Sequence, residues 1–301
     1  MNETFVLEPK GFSTELELKM VLARFGSYSG RYLARYPHSI QEHIKRGMNG
    51  LGELQLKRMG SILRSADEAG VFQLLKNLSW KDSLPWYDNA IQTVRNKATN
   101  GLVAFNLETD ETALIYHVNE VAEWGPAEER ILGTKEEYVR VSRTLLLTSP
   151  EIYFVDPYIN PLKSSYYETM LAYLTLIAEN RKCSKICFFA RESNVIGSEP
   201  TDVIIKAIRE KLLELNRRAK ITGKTIQFSL ARDEREDFKM HGRYLLTQRG
   251  GLQLDQGFQQ LPKGRRVDVS PISKNRLDEL WSSYITSQPF QKAIANSIVI
   301  P

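Results

Sequence analysis

His241-Gly242-Arg243-Tyr244-Leu245-Leu246-Thr247 runs through Gln248-Arg249 into Gly250-Gly251-Leu252-Gln253-Leu254-Asp255-Gln256-Gly257-Phe258. It sets an imidazole and a guanidinium two residues apart at the head of an apolar, strand-like run. On an extended strand, side chains i and i+2 share a face and stand roughly 6.6 Å apart, so both can meet one phosphate. Gly250-Gly251 is turn-prone, and the segment therefore predicts two strands closed as a hairpin.

Upstream, apolar runs alternate regularly. Ile152 to Val155 reads as a strand ending in Asp156-Pro157-Tyr158-Ile159. Tyr167, Met170, Leu171, Leu174 and Ile177 recur at helical spacing, Ile186 to Ala190 is a short strand, Ile204, Ile208, Leu212 and Leu215 mark a helix, and Thr225 to Leu230 is a third strand. Three strands separated by two helices predict right-handed crossovers and a mixed sheet flanked by helices. A helix over Leu277, Leu280, Trp281 and Tyr284 closes the pattern before a short tail.

Two anchors carry a family resemblance: the strand ending in Asp156-Pro157-Tyr158-Ile159, and His241-Gly242-Arg243-Tyr244 followed by a Gly-rich strand with an aromatic end. With them, residues 148 to 292 resemble the phospholipase-D-like domain at the C-terminus of microtubule-interacting-and-trafficking proteins, which also occurs in bacterial conflict and anti-phage systems. Active phospholipase D relatives use His-x-Lys-x-x-x-x-Asp, usually in two copies meeting at one site. Here His241 matches, Arg243 stands for Lys, Gln248 stands for Asp, and one copy is visible. Arg still grips phosphate bidentately, but the carboxylate that would support an imidazolium during attack is missing.

The resemblance therefore implies a degenerate active site that binds a phosphate-bearing ligand, nucleic acid or partner protein in a prokaryotic defence-type complex, without a cofactor or metal. The alternative is a metal-independent phosphodiesterase or nuclease in which two chains pair their His241 residues, one as nucleophile and one as general acid. Asp156 admits two roles: orienting His241, or capping the following helix. Arg232 and Arg235, in the charged run before His241, are candidates to reach the same ligand.

The 301 residues, 42% of them hydrophobic, allow two domains. Residues 148–301 form the α/β half just described, and residues 1–147 read as a mainly helical, basic domain, giving a mixed α+β and α/β fold class. Ser13 is a candidate N-cap before Leu16, Met20 and Val21, a second helix begins near Arg31, and Leu54, Leu56, Met59, Ile62 and Leu63 suit a third. Leu102-Val103-Ala104-Phe105 and Ala113-Leu114-Ile115-Tyr116 predict a β-hairpin near 102–118.

Charge is uneven. Between Lys19 and Arg64 nine basic residues face Glu42 and Glu53, whereas residues 106 to 137 carry nine acids against Arg130 and Lys135. Arg31, Arg35, Lys45, Arg46, Lys57 and Arg58 are the candidate nucleic-acid contacts. Tyr28, Tyr32 and Tyr36 interleave with the arginines either to stack on bases or to form a tyrosine-rich core face rimmed by solvated arginines. Cys183 and Cys187 are too far apart on an extended chain to pair, and His38, His43 and His117 offer no zinc spacing. No run of 18 apolar residues and no signal-like start occur in the sequence, so a cytoplasmic protein with no membrane partner is expected.

Overall fold

The computed structural model describes residues 3–47, 52–75, 78–106, 114–232 and 240–301, and the chain divides after Ala127 into two units. The first is built on a five-stranded sheet with strands β1 (Glu3–Leu7), β2 (Arg31–Ala34), β3 (Phe72–Gln73), β4 (Gly101–Ala104) and β5 (Ile115–His117). Their order is β3-β2-β1-β4-β5 and every pairing is parallel. Helices α1 (Glu15–Leu22), α2 (Ile40–Gly47), α3 (Glu53–Glu68) and α4 (Trp86–Arg95) lie in the connections between them, and α5 (Val118–Ala122) follows β5. Leu18, Val21, Met59, Leu63, Val118 and Val121 pack with Phe5 and Leu33 in one core cluster, and Ala90 and Ile91 of α4 pack with Val6 and Leu102 in another.

This unit corrects three sequence expectations. Its helices, which hold most of the residues in regular elements, are organised on a parallel sheet that the helical reading does not include. The runs near 102 and 115 are strands, but Leu102 pairs with Ile115 in a parallel ladder, so they form no hairpin. Residues 31–34 are strand, not helix. Strands covered on both faces show continuous apolar runs instead of alternation, and at two to five residues they leave little period to read. The first helix is capped by Thr14, whose Oγ1 accepts the Glu17 N–H at 3.1 Å, one residue beyond the expected Ser13.

The second unit holds an eight-stranded mixed sheet. It contains β6 (Glu129–Leu132), α6 (Lys135–Thr148), β7 (Glu151–Val155), α7 (Ser164–Ala178), β8 (Lys185–Arg191), α8 (Glu192–Val195), α9 (Thr201–Ala219), β9 (Thr225–Ala231), β10 (Tyr244–Thr247), β11 (Gly250–Leu254), β12 (Arg266–Pro271), α10 (Lys274–Trp281), α11 (Gln288–Ala293) and β13 (Ile294–Ile300). A π-helical turn at Ser282–Thr286 joins α10 to α11. The strand order is β13-β9-β8-β7-β10-β11-β12-β6.

As the spacing predicts, β7, β8 and β9 are parallel, with α7 and α9 as crossovers. β10 runs antiparallel beside β7, pairing Tyr244 with Val155, and forms a hairpin with β11. Phe154 stacks on Phe188 at 4.8 Å and Phe188 on Phe228 at 6.4 Å, so one aromatic row crosses the three central strands.

Three strands escape the sequence reading. β12 follows β11, β6 adds to the far edge by pairing Ile131 with Val267, and β13 replaces the expected tail. Because β6 belongs to this sheet, the unit begins near residue 128 and not at 148. Cys183 and Cys187 are both free and buried, and burial pushes the Cys187 thiol up to about 12. Among the described residues no helix is long and apolar enough to cross a membrane.

Candidate functional site

Asp156 leaves the carboxyl end of β7 fully buried. Its Oδ1 accepts the Tyr158 N–H at 2.9 Å and its Oδ2 the Phe258 N–H at 3.2 Å, tying the end of β7 to the segment beyond β11. Gly257 makes that tie possible: its φ is +74°, and a Cβ there would overlap Asp156 Oδ2 and lie 2.8 Å from Arg243 Cδ. Arg243 Nε stands 3.9 Å from Asp156 Oδ1. Burial raises the Asp156 carboxyl to about 6, against the opposing pull of the two backbone N–H groups and Arg243.

Arg243 is half-buried. Its Nη1 donates to the Asp255 carbonyl at 2.8 Å, and its guanidinium lies over the Tyr158 ring at 5.4 Å from the centroid. With Tyr158, Lys163, Tyr166, Gln256 and Gln259 it lines a cleft of about 210 Å³. Tyr138, behind the cleft, donates its hydroxyl to the Gln259 carbonyl at 2.8 Å. Burial raises both the Tyr138 and Tyr166 phenols, so they remain protonated at neutral pH. The cleft thus presents two cations, two amides and two phenols beside a buried carboxyl, a donor-rich set suited to an oxyanion.

The other candidates fall elsewhere. His241 is exposed and precedes β10 by three residues, so it and Arg243 do not share a strand face. Asp156 bonds Tyr158, Phe258 and Arg243, not His241. Nor does it cap α7, whose N-cap is Lys163. Arg191 Nη2 donates to the Met240 carbonyl at 2.5 Å, tethering the chain just before His241. Arg232 pairs with Glu192 at 2.6 Å, and Arg235 lies outside the described residues. Asp255 Oδ1 accepts the Asp268 N–H at 2.9 Å. Gln248 bonds Glu151 at the opposite end of β7 from Asp156, so the motif position that would hold a carboxylate is remote from the cleft. Sequence reading missed Lys163, Tyr166, Gln256 and Gln259. The only signal for them was that the β7–α7 and post-β11 connections leave the same end of the sheet, on either side of the start of β10.

In the first unit the six basic candidates divide. Arg31 pairs with Glu3 at 3.0 Å, donates to the Gly125 carbonyl at 2.6 Å and lies over the Trp124 ring. Arg35 pairs with Asp67. Tyr32 and Tyr36 are buried, and the Tyr36 hydroxyl donates to the Ser79 carbonyl at 2.8 Å. The two tyrosines therefore follow the core-face reading, while the two arginines are part-buried and ion-paired and not the solvated rim it expected. Lys45 and Lys57 make exposed helical pairs with Glu42 and Glu53, while Arg46 and Arg58 are exposed. Replacing Arg31 and Arg35 together by Glu is expected to lower the melting temperature of this unit by several degrees, because each change sets like charges face to face. Replacing Arg46 and Arg58 leaves it within about 2 °C. Circular-dichroism melts of the two double variants check this.

Set against known families and curated proteins, the chain matches no family model and no curated protein.

Proposed function

We propose that the C-terminal unit is a degenerate, single phospholipase-D-like half that binds a phosphate-bearing ligand in the Arg243 cleft without turning it over. The observation that carries this reading is the convergence of Arg243, Lys163 and Tyr166 on one small cleft, with Arg243 held in place by Asp156 and Asp255. A guanidinium fixed in this way grips an oxyanion with less loss of side-chain freedom than a free one.

Two features favour binding over catalysis. Among the described residues no carboxylate is bonded to His241, and the residue at the motif's acid position, Gln248, bonds Glu151 far from the cleft. An imidazole without a partner of that kind is a poor nucleophile at phosphorus. The setting we propose follows from the resemblance: a cytoplasmic component of a prokaryotic defence complex that reads a phosphorylated ligand or nucleic acid and acts through partner proteins.

Sulfate is the simplest probe, because it stays a dianion across the working pH range. Calorimetric titration is expected to show binding that Arg243→Ala weakens about tenfold or more and Arg243→Lys weakens less. Equal affinity in all three proteins removes the cleft as an anion site. Chelator-resistant cleavage of DNA or RNA, lost in His241→Ala, would replace the binding reading with the phosphodiesterase one.

A further inference from the structure

We propose that the chain self-associates through β13, pairing antiparallel with β13 of a second copy to continue the eight-stranded sheet across a two-fold axis. Among the described residues β13 is the end strand of its sheet, bonded only to β9. An open edge is usually protected by a charge, a proline, a bulge or extreme shortness, because its unpaired N–H and C=O groups otherwise template another strand. β13 has seven residues, Ile294-Ala295-Asn296-Ser297-Ile298-Val299-Ile300, with no charge and no proline. Its one irregularity lies between Ile294 and Asn296, which leaves the following residues in regular register with β9.

The side chains of this edge favour a second copy over a charged partner. Val299 is 46% exposed, and Ser297 is exposed at the end of a polar row: Gln227 Nε2 donates to Ser229 Oγ at 3.0 Å and to Ser297 Oγ at 3.1 Å. Antiparallel self-pairing about Ser297 sets serine against serine and Val299 against Ala295, with no like charges opposed. Ile298 and Ile300 are buried on the other face, where α9 packs.

The free flank of α9 agrees. Lys211, Glu214 and Arg218 of this helix turn toward α7, where Glu214 accepts the Tyr167 hydroxyl at 2.6 Å and Arg218 donates to it at 3.0 Å. Ile208, Leu212 and Leu215 form its buried base. At 3.6 residues per turn the flank opposite α7, above the β13 edge, carries Ile205, Arg209 and Leu213. Leu213 is exposed, an apolar residue beside an apolar edge. In the two-fold pair the α9 helices run antiparallel, so the Asp202 end of one faces the Lys220 end of the other.

This arrangement has a functional consequence. A two-fold axis perpendicular to the sheet turns β7 of the second copy upside down, and at the spacing of sheet strands the two β7 strands stand roughly 33 Å apart. The two clefts then open at opposite ends of the sheet, so this dimer is bivalent and cannot bring two His241 side chains to one phosphorus atom.

Sedimentation equilibrium of the full chain tests the proposal. The wild type is expected to show a reversible monomer–dimer equilibrium, which Val299→Lys at the strand edge and Leu213→Glu on the helix flank each weaken roughly tenfold or more. Both positions are exposed, and unchanged circular-dichroism melts at low concentration show that the variants fold. A wild type that is monomeric up to its solubility limit overturns the proposal, as does a dimer insensitive to both substitutions, which would use another face. Sulfate affinity is read in the same samples, and its loss or retention bears on the cleft alone.

Discussion

Gly257→Ala is expected to destabilise the C-terminal unit by roughly 3 kcal/mol, from two separable costs. An alanine held in the left-handed region costs about 1–2 kcal/mol. The remainder, about 1–3 kcal/mol, comes from forcing a methyl group against a carboxylate that cannot retreat. Asp156 is pinned by the Tyr158 and Phe258 N–H groups, and Arg243 blocks the other side. Gly264 provides the control: its φ is +84°, but a Cβ there meets nothing within 4 Å. Gly264→Ala is therefore expected to show only the backbone cost. Urea unfolding of the two variants measures the difference, and equal losses would mean that the Asp156 tie tolerates the methyl group. The same displacement pushes Asp156 toward Arg243, so Gly257→Ala is also expected to weaken sulfate binding.

The second large effect is a pH dependence. Asp156 has a folded-state pKa of about 6, above the value of about 3.9 for an aspartate in an unfolded chain. Between these values the folded chain binds more protons than the unfolded one, so stability falls as pH rises from about 4 to about 6. The full difference amounts to ~3 kcal/mol and is absent above that window. Glu42, Glu137 and Glu214 have lowered values and contribute in the opposite sense, but all three are held by surface partners screened by solvent. Asp156→Asn isolates the contribution: whatever it costs in lost N–H acceptance, the slope between pH 4 and 6 should disappear. Persistence of the slope in Asp156→Asn would assign it to other groups. Sulfate binding is linked to the same proton, since a neutral Asp156 no longer repels an anion held by Arg243, and affinity is expected to rise as pH falls through about 6.

The parts of this protein readable in its sequence are those written in local spacing. The helical periods at 167–177 and 204–215 and the apolar runs between them establish the β7–β8–β9 crossover series, because each helix must bury its apolar stripe on a sheet long enough to receive it. The hairpin was legible but its turn was not: Gly250 and Gly251 pair with Thr247 and Leu246 inside β11, and Gln248-Arg249 makes the turn. The Asp156-Pro157-Tyr158 and His241-Gly242-Arg243 segments mark the strand ends where the cleft forms. Long-range pairing decided the rest. β6 and β13 carry weak periodicity of their own and become strands because a neighbouring edge offers hydrogen bonds, whereas the alternation of Val267 and Val269 in β12 was legible and escaped the sequence reading. In the first unit the β4 and β5 runs look the same whether paired parallel or antiparallel, and only the crossover order distinguishes the two.

The roles of the charged residues were decided in the same way. Sequence alone supplied Asp156, Arg243, Arg31 and Arg35 as chemically capable groups. Tertiary contacts paired Asp156 with Arg243 in place of His241, Arg31 with Glu3, and Arg35 with Asp67. A guanidinium takes whichever carboxylate the fold brings within reach, and that proximity joins residues separated by as many as 87 positions in Asp156 and Arg243, beyond what any local pattern in the chain encodes.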